Sequence, residues 1–545
     1  MNMDVRRIST VKVLLAALGI FALYFAGLGS YPLLDRDEPV YGQFVKEMAH
    51  GDWLTPHYLG HILFDKPPFT YWLMSSSVRV FGQNEFALRL PSALMAVLLI
   101  LIVYLLASFD YGRRVGLLSA LVMATCVQQI ALARASVTDI TFAVCLMAAV
   151  YFYRRWLDAE NQLFWPVFCG AATGLAMLTK GPIGPLLVFG TVFLHLLITR
   201  RLRRLVSLGA LLGIIAGLAV GLPWYIAMYI MHSNQFVQEF IIMHHLSRFT
   251  KPLHASQTGS WTSYFRNFMI LLVFFYPWSL FLPQAVVRAA RVSKSNEGAK
   301  LALVWIGVVF IFFSLSKTQL VTYIFPVYPA ASVLIGALWH LAATGDKKAQ
   351  KGVVAVLWIV FFIAVLIAVG LFFISARKFP EAQPRAWIGL ALVFAFGLAA
   401  ILVSIRNQWS AAPWIMGAGM ALFVIGVIFV VMPVAHKSIS SRWVVETIPA
   451  EYRSSVVVFR APDKVTGLPK FSGLVYYLGY EPRDIRTLDE AQKLLVSHKP
   501  VFIVCRGSKN INMLKSVGAE EWGRGYLTIM TNQAALSKFK LHQRH

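Results

Sequence analysis

The sequence predicts a polytopic α-helical membrane protein that ends in a small soluble α/β domain. Hydrophobic residues make up 58% of the 545 residues and charged residues only 14%, and the mean hydropathy is +0.65. This composition leaves too little polar surface for a soluble globular protein of this length. The α/β domain is predicted by a change near residue 436, where the long apolar runs stop and short strand and helix patterns begin.

The membrane part contains about thirteen apolar segments that are long enough to cross a bilayer. They cover approximately residues 12–30, 91–108, 115–132, 138–153, 162–179, 182–198, 205–230, 265–287, 300–315, 321–343, 352–374, 386–404 and 411–434. We therefore divide the chain into a transmembrane domain, residues 1–435, and a C-terminal domain, residues 436–545.

The formal net charge of +25 comes mainly from basic clusters that lie in every second loop along the chain. Basic clusters lie at 113–114, 154–155, 200–204, 288–294 and 347–351, which are all on one side if the chain crosses at each segment. Because cytoplasmic loops collect Lys and Arg, we expect a cytoplasmic N-terminus in a bacterial inner membrane. Loops 31–90 and 231–264 and the C-terminal domain are then periplasmic. Membrane lipids are the expected partners of this charge, and nucleic acid is not.

The C-terminal domain shows alternating strand and helix patterns. The stretches VVETIPAEYRSSVVVFRAP and KPVFIVCRG predict strands, and TLDEAQKLLVSH and Lys509 to Val517 predict helices. No glycine-rich phosphate-binding motif is present in its sequence, so we expect it to pack on the membrane domain or to guide substrate.

The first outer loop carries an unusual density of charge for a connection between spans. Asp35, Asp37 and Glu38 follow the first span directly. A solvated loop would explain them, but carboxylates at a helix end near the bilayer surface can be desolvated and aimed into a site. We therefore expect catalytic carboxylates here.

Several cations are predicted at the same outer side. Pro67 and Pro68 fix the backbone after Lys66, and a fixed ammonium is a natural phosphate ligand. The remaining members are Lys180, Arg248 and Lys317, with Tyr323 nearby. Structural turns and snorkelling side chains are the alternative explanation. A set of cations beside a few carboxylates is what a phosphate-bearing donor requires.

Two further groups have open interpretations. Asp139 opens an apolar run and would serve equally well as a helix-start residue or as a second site carboxylate. His245 lies in the second outer loop, where it could join a first-loop carboxylate such as Asp65 in a metal site.

The ordered motifs of residues 10–340 resemble one family, the GT-C glycosyltransferases of the bacterial aminoarabinose transferase and protein O-mannosyltransferase group. The motifs are Asp37-Glu38, GDW, DKPPFTYW, LRLPSAL at 88–94, TD at 138–139, LTKGP at 178–182, HLSRF at 245–249, YPWSLFLP at 276–283 and SKTQLVTYIFPVYP at 316–329. The resemblance implies a GT-C fold with thirteen spans and a periplasmic domain at the end of the chain.

The resemblance also implies roles for the site residues. Asp37, with Glu38 beside it, matches the catalytic aspartate, and Asp139 matches a second carboxylate in the cavity. The donor phosphate would be held by Lys66, Arg248, Lys180 and Lys317, with Tyr323 lining that pocket. Asp65 and His245 match residues associated with a divalent metal ion (Zn, or Mg or Mn), although no cofactor is required for the transfer itself.

The expected activity is transfer of a sugar from an undecaprenyl-phosphate donor to an envelope acceptor. The resemblance favours 4-amino-4-deoxy-L-arabinose and the phosphate of lipid A, a modification associated with polymyxin resistance. Transfer to protein Ser or Thr, or to another envelope glycan, is the alternative within the enzyme class. A lipid or sugar transporter is the non-enzyme alternative, but it would need charges near the bilayer midplane rather than at helix ends.

Overall fold

The structure is a computed structural model that describes residues 18–35, 37–159, 161–247, 261–316, 318–378, 383–432, 439–459, 471–525 and 527–539. Helices dominate up to residue 432, and a mixed α/β arrangement follows from residue 439.

The N-terminal part is a helical bundle with a small folded loop region between its first two long helices. Its helices are α1 (18–24), α2 (Asp37–His50), α3 (Phe69–Phe81), α4 (Glu85–Tyr111), α5 (Arg113–Ala124), α6 (Val127–Ala133), α7 (Asp139–Asp158), α8 (Phe164–Lys180), α9 (Ile183–Ile198), α10 (Leu208–Phe236), α11 (Trp261–Phe274), α12 (Leu282–Val292), α13 (Glu297–Leu315), α14 (Tyr328–Ala343), α15 (Lys347–Lys378), α16 (Gln383–Ile405) and α17 (Ala412–Gly426). Strands β1 (His57–Tyr58) and β2 (His61–Ile62) form an antiparallel pair between α2 and α3.

Fewer helices than the predicted thirteen pass a test of length and apolarity in the described parts of the chain. Seven do, or up to nine if each bent pair counts as one span. The predicted span 265–287 is bent, because the chain turns by 116° between Phe265–Phe274 and Trp278–Val292, and it is a single span only if this bent pair counts as one. Pro277 lies at this break, directly before Trp278, and proline favours the end of a helix because it cannot donate a backbone hydrogen bond. The protein is a helical membrane protein, and the count of thirteen stays a prediction.

Small residues bring two of the bundle helices into close contact. A Cβ atom at Gly170 of α8 would lie 1.8 Å from the carbonyl oxygen of Gly213 of α10. Only glycine allows this approach of two backbones, which is a common way to pack helices in a membrane. The contact fixes α8, whose last residue is Lys180.

A five-stranded mixed sheet forms the centre of the C-terminal residues. Its strands are β3 (Val457–Phe459), β4 (Arg483–Ile485), β5 (Phe502–Cys505), β6 (Glu520–Arg524) and β7 (Thr528–Thr531), in the order β4-β3-β5-β7-β6. β4, β3 and β5 are parallel, whereas β7 is antiparallel to both β5 and β6. Helices α18 (Arg442–Thr447), α19 (Ser472–Leu478), α20 (Leu488–Leu495), α21 (Ser508–Ser516) and α22 (Gln533–Phe539) accompany it. We call the described residues 439–539 the C-terminal layer.

The predicted elements of this layer are confirmed except for one. KPVFIVCRG forms β5, and the two predicted helices are α20 and α21. The prediction of a strand beginning at VVETIP is wrong, because Arg442–Thr447 is helical and the strand is confined to Val457–Phe459. An ion pair of 2.8 Å between Arg442 and Glu446, one helical turn apart, supports the helix. The predicted boundary at residue 436 lies outside the described residues.

Candidate active site

The predicted site residues lie where helices end at one face of the bundle. Asp37 begins α2, Asp139 begins α7 and Lys180 ends α8. Tyr323 lies in the turn that precedes α14. The opposite end of α7 carries a different charged group, in which Arg154 pairs with Asp110 at 2.8 Å. Asp37, Asp139, Lys180 and Tyr323 therefore share one end of the bundle.

Lys180 and Asp139 form the tightest described pair of the site. The Nζ atom of Lys180 lies 2.6 Å from Oδ1 of Asp139, and the two side chains are 13% and 12% exposed. The ammonium also lies over the rings of Phe142 and Tyr323, at 5.2 and 5.6 Å from their centres. Asp139 is the first residue of α7, where its charge favours the helix start, and its carboxylate is also paired with Lys180.

Lys66 brings the first loop to the same place. Its Nζ atom lies 3.1 Å from Oδ1 of Asp65, and the side chains are 17% and 6% exposed. Lys66 also interacts electrostatically with Asp139, which additionally accepts a hydrogen bond from Thr322. The loop cation and the cation at the end of α8 therefore act on one carboxylate.

Tyr41 is a site residue that the sequence analysis missed. It is half-buried, and the carboxylates of Asp65, Asp37 and Asp139 all act on its phenol. Burial first, and then these charges, raise the pKa of Tyr41 well above its usual value, so the hydroxyl stays neutral and can donate a hydrogen bond. Its position one helical turn after Asp37 is the pattern that could have identified it.

A second tyrosine stands behind Tyr41. The ring of Tyr71 lies 6.0 Å from that of Tyr41, and Tyr71 is fully buried. Its hydroxyl has no hydrogen-bond partner among the described residues. A buried hydroxyl without a partner is costly, so the Tyr71 hydroxyl is a candidate contact for a bound ligand.

Glu38 occupies a different environment from its neighbour Asp37. It is 3% exposed, whereas Asp37 is exposed. Its carboxylate accepts two hydrogen bonds from Arg89, at 2.9 and 2.8 Å, and one from each of the backbone amides of Leu34 and Ser136, both at 2.8 Å. Burial opposes the charged form, but Arg89 and these amides outweigh it, and the pKa of Glu38 lies below its usual range. These contacts favour a structural task for Glu38, in support of the first turn of α2, and its expected catalytic role stays a prediction.

Three of the predicted groups lie outside what the structure describes. Arg248 and Lys317 are in the gaps 248–260 and 317, and the side chain of His245 is also outside the description. Their assignments to the donor phosphate and to a metal stay predictions.

The described residues supply only part of the expected metal site. Asp65, one of its two expected ligands, is paired with Lys66. Within the described ranges, no group of three or more His, Cys, Asp or Glu side chains is arranged to hold a metal ion.

Comparison with known proteins gives a consistent picture. A model of the family described as dolichyl-phosphate-mannose-protein mannosyltransferase matches residues 65–226. The chain is 30% identical, over 72% of both chains, to undecaprenyl phosphate-alpha-4-amino-4-deoxy-L-arabinose arabinosyl transferase 1 of Sodalis glossinidius. It is 33% identical to the enzyme of the same description from Pseudomonas aeruginosa, over 64% of this chain and 62% of that one.

A solved structure shows the same fold. The crystal structure of ArnT from Cupriavidus metallidurans bound to undecaprenyl phosphate is 22% identical and superposes with a TM-score of 0.76. The match covers 97% of this chain and 99% of that one. It extends through the C-terminal layer as well as the bundle.

Proposed function

Because the chain belongs to the GT-C glycosyltransferases of the aminoarabinose transferase and protein mannosyltransferase group, we propose that it transfers 4-amino-4-deoxy-L-arabinose from undecaprenyl phosphate to a phosphate of lipid A. The observation that carries the proposal is the meeting of Lys66, Lys180 and three carboxylates at one end of the bundle. The names of the relatives supply the sugar and the donor.

The chemistry assigned to the site is a displacement at the anomeric carbon of the sugar. The bond between that carbon and the donor phosphate oxygen breaks, and the electron pair leaves with undecaprenyl phosphate. Lys66 and Lys180 lie where they would stabilise this departing charge, with Arg248, Lys317 and Tyr323 as the further expected contacts. An oxygen of the acceptor phosphate forms the new bond and, being already ionised, needs no general base.

The exposure of one carboxylate supports an amino sugar. Asp37, Asp65 and Asp139 act together on Tyr41. Asp37 is the carboxylate of the three that is exposed. We assign to Asp37 the ammonium group of the donor sugar and the orientation of the acceptor, since an opposite charge at this position favours a cation.

The proposed location is the periplasmic face of a bacterial inner membrane. Site residues lie at the start of α7, whereas its other end carries Arg154 and Arg155. Under the positive-inside rule this end is cytoplasmic and the site is periplasmic, and we propose a cytoplasmic N-terminus and a periplasmic C-terminal layer with it. A lipid-linked donor suits this side, because nucleotide sugars are not supplied there.

The test is mass spectrometry of lipid A from cells that express the chain and make the lipid-linked donor. We expect a pentose-sized adduct with the wild type and with Asp489→Asn, an exposed carboxylate of α20. The adduct should be lost with Asp37→Asn. An unmodified lipid A beside well-inserted wild-type protein would refute lipid A as the acceptor.

Transfer to protein is the second candidate, and the family model over residues 65–226 favours it. Glycopeptide analysis of the same cells separates the two. A sugar on Ser or Thr that disappears with Asp37→Asn, together with unmodified lipid A, would establish this alternative.

A further inference from the structure

The chain segment just before Asp37 is held by the C-terminal layer. The backbone amide of Asp35 donates a hydrogen bond to the carbonyl oxygen of Ile439 at 3.2 Å. The hydroxyl of Ser441 donates to the Asp35 carboxylate. The amide of Leu33 donates to the hydroxyl of Tyr477 at 2.7 Å. Three contacts therefore join the segment that leads into α2 to residues more than four hundred positions later.

The same layer also holds the start of α4. The Glu85 carboxylate accepts hydrogen bonds from Arg442 at 2.8 Å and from the Tyr477 hydroxyl at 3.1 Å. Tyr477 thus contacts both α4 and the segment before α2. α4 carries Arg89, which is the partner of Glu38 in the first turn of α2. The C-terminal layer therefore contacts both the segment that leads into α2 and the helix that holds Glu38.

Asp35 fits against the layer without spare room. A Cβ atom at Gly473 of α19 would lie 1.8 Å from Oδ1 of Asp35 and 2.7 Å from its Cγ atom. Real Cβ atoms do not approach other atoms this closely, so any side chain at Gly473 must displace Asp35. The interface is shaped for this one carboxylate.

We propose that Asp35 is a positioning residue through which the C-terminal layer holds the exposed Asp37 in place for sugar transfer. The inference rests on the proposed function, and it assigns a task to the C-terminal layer in that reaction. Asp37 lies two residues after Asp35 in the first turn of α2. Glu38 and Arg89 restrain one side of that turn, and Asp35 with Ser441 restrains the other.

Loss of one restraint would move Asp37 relative to a donor held elsewhere. Lys66 and Lys180, which are assigned to the donor phosphate, are not part of this interface. A small misplacement of a reacting group costs about 10- to 100-fold in rate. We therefore expect kcat to fall, with a smaller rise in the KM for the donor, because a displaced Asp37 loses its aim at the sugar while Lys66 and Lys180 still hold the donor phosphate.

The test uses Gly473→Ala in the full-length protein in lipid nanodiscs, with Gly307→Ala as the matched control. Gly307 also lies in a helix, and nothing lies within 4 Å of a Cβ built there. We expect kcat to fall at least about tenfold with Gly473→Ala and to stay at the wild-type level with Gly307→Ala. Thermal unfolding, recorded for each variant, confirms that the compared proteins are folded.

A double-mutant cycle separates positioning from a general structural effect. Asp35→Ala removes the atoms that a Cβ at Gly473 would strike, so adding Gly473→Ala to it should cause little further loss. Asp35→Asn keeps an acceptor for Ser441 and should recover most of the activity that Asp35→Ala loses. Equal losses from Gly473→Ala in both backgrounds, or wild-type kcat in Gly473→Ala, would overturn the proposal.

Asp37→Asn distinguishes this failure from failure of the proposed function. If Asp37→Asn abolishes transfer and Gly473→Ala does not reduce it, the positioning role is refuted and the proposed function stands. If Asp37→Asn retains full transfer, the site assignment itself is refuted, and the positioning role falls with it.

Discussion

Removing the carboxylate of Glu38 is expected to damage the fold rather than the chemistry. Glu38 and Arg89 are 3% and 0% exposed, and their closest atoms are 2.8 Å apart. Breaking a buried ion pair by removing one partner costs about 3–5 kcal/mol, because the other charge stays buried. In Glu38→Ala, the amides of Leu34 and Ser136 lose their acceptor as well.

That free energy is comparable with the whole stability of an ordinary domain. We expect Glu38→Ala and Glu38→Gln to show a large fall in folded yield and in unfolding temperature in detergent. Asp37→Asn, at the exposed neighbouring position, is the matched control and should unfold like the wild type while losing transfer. Replacing Glu38 and Arg89 together by methionine should recover much of the lost stability, since an apolar pair leaves no buried charge.

The measurements are fluorescence-detected thermal unfolding and sugar transfer on the same preparations. If Glu38→Gln unfolds at the wild-type temperature and loses transfer as completely as Asp37→Asn, the positioning role is refuted. Glu38 would then act on substrate, as the sequence alone led us to expect.

Three further predictions concern the site and its support. Lys180→Met should raise the donor KM by about tenfold or more, because a charge-assisted contact is lost, and Lys180→Arg, measured in the same titration, should recover part of it; an unchanged KM would remove Lys180 from donor binding. Tyr41→Phe keeps the ring and should unfold normally but lose about tenfold in kcat, and wild-type turnover would contradict the placement of its hydroxyl among three carboxylates. Burial, opposed by Ser441 and Arg506, raises the pKa of Asp35 from 3.8 to about 6, so its neutral form is favoured in the folded protein and stability should fall as pH rises from about 4 to 6. The loss is at most about 3 kcal/mol; Asp35→Asn should lack it in unfolding curves recorded against pH, and equal slopes would contradict it.

The sequence could predict that several residues of the candidate site lie together because they stand at the ends of apolar segments. Asp37, Asp139 and Lys180 each stand where a helix starts or stops, and helices that cross a bilayer bring such ends to two faces only. The order of the membrane-crossing segments therefore predicts that these three residues lie near one another, without knowledge of how the helices pack. Tyr41 was missed because a tyrosine at a membrane surface is common, and only its helical spacing from Asp37 distinguishes it.

The contrast between Asp37 and Glu38 could not be predicted in the same way. They are adjacent carboxylates with nearly the same local chemistry, and the first turn of a helix favours both equally. Their environments differ because Arg89, 51 residues later in the sequence, is buried beside α2 and donates a hydrogen bond to Glu38. A preference that depends on a partner so distant in sequence is set by tertiary packing, which composition and periodicity do not record.

The same reasoning explains why the C-terminal layer was assigned only a general packing role. Its polar contacts with the first loop join Asp35 to Ser441 and Leu33 to Tyr477, across 406 and 444 positions. Under the proposed function Asp37 cannot be fixed by burial, because burial would remove its carboxylate from the substrate. Its neighbours must be held instead, and here one neighbour is held by a membrane helix and the other by the C-terminal layer. These contacts give the C-terminal residues a part in the proposed reaction, although they lie far from Asp37 along the chain.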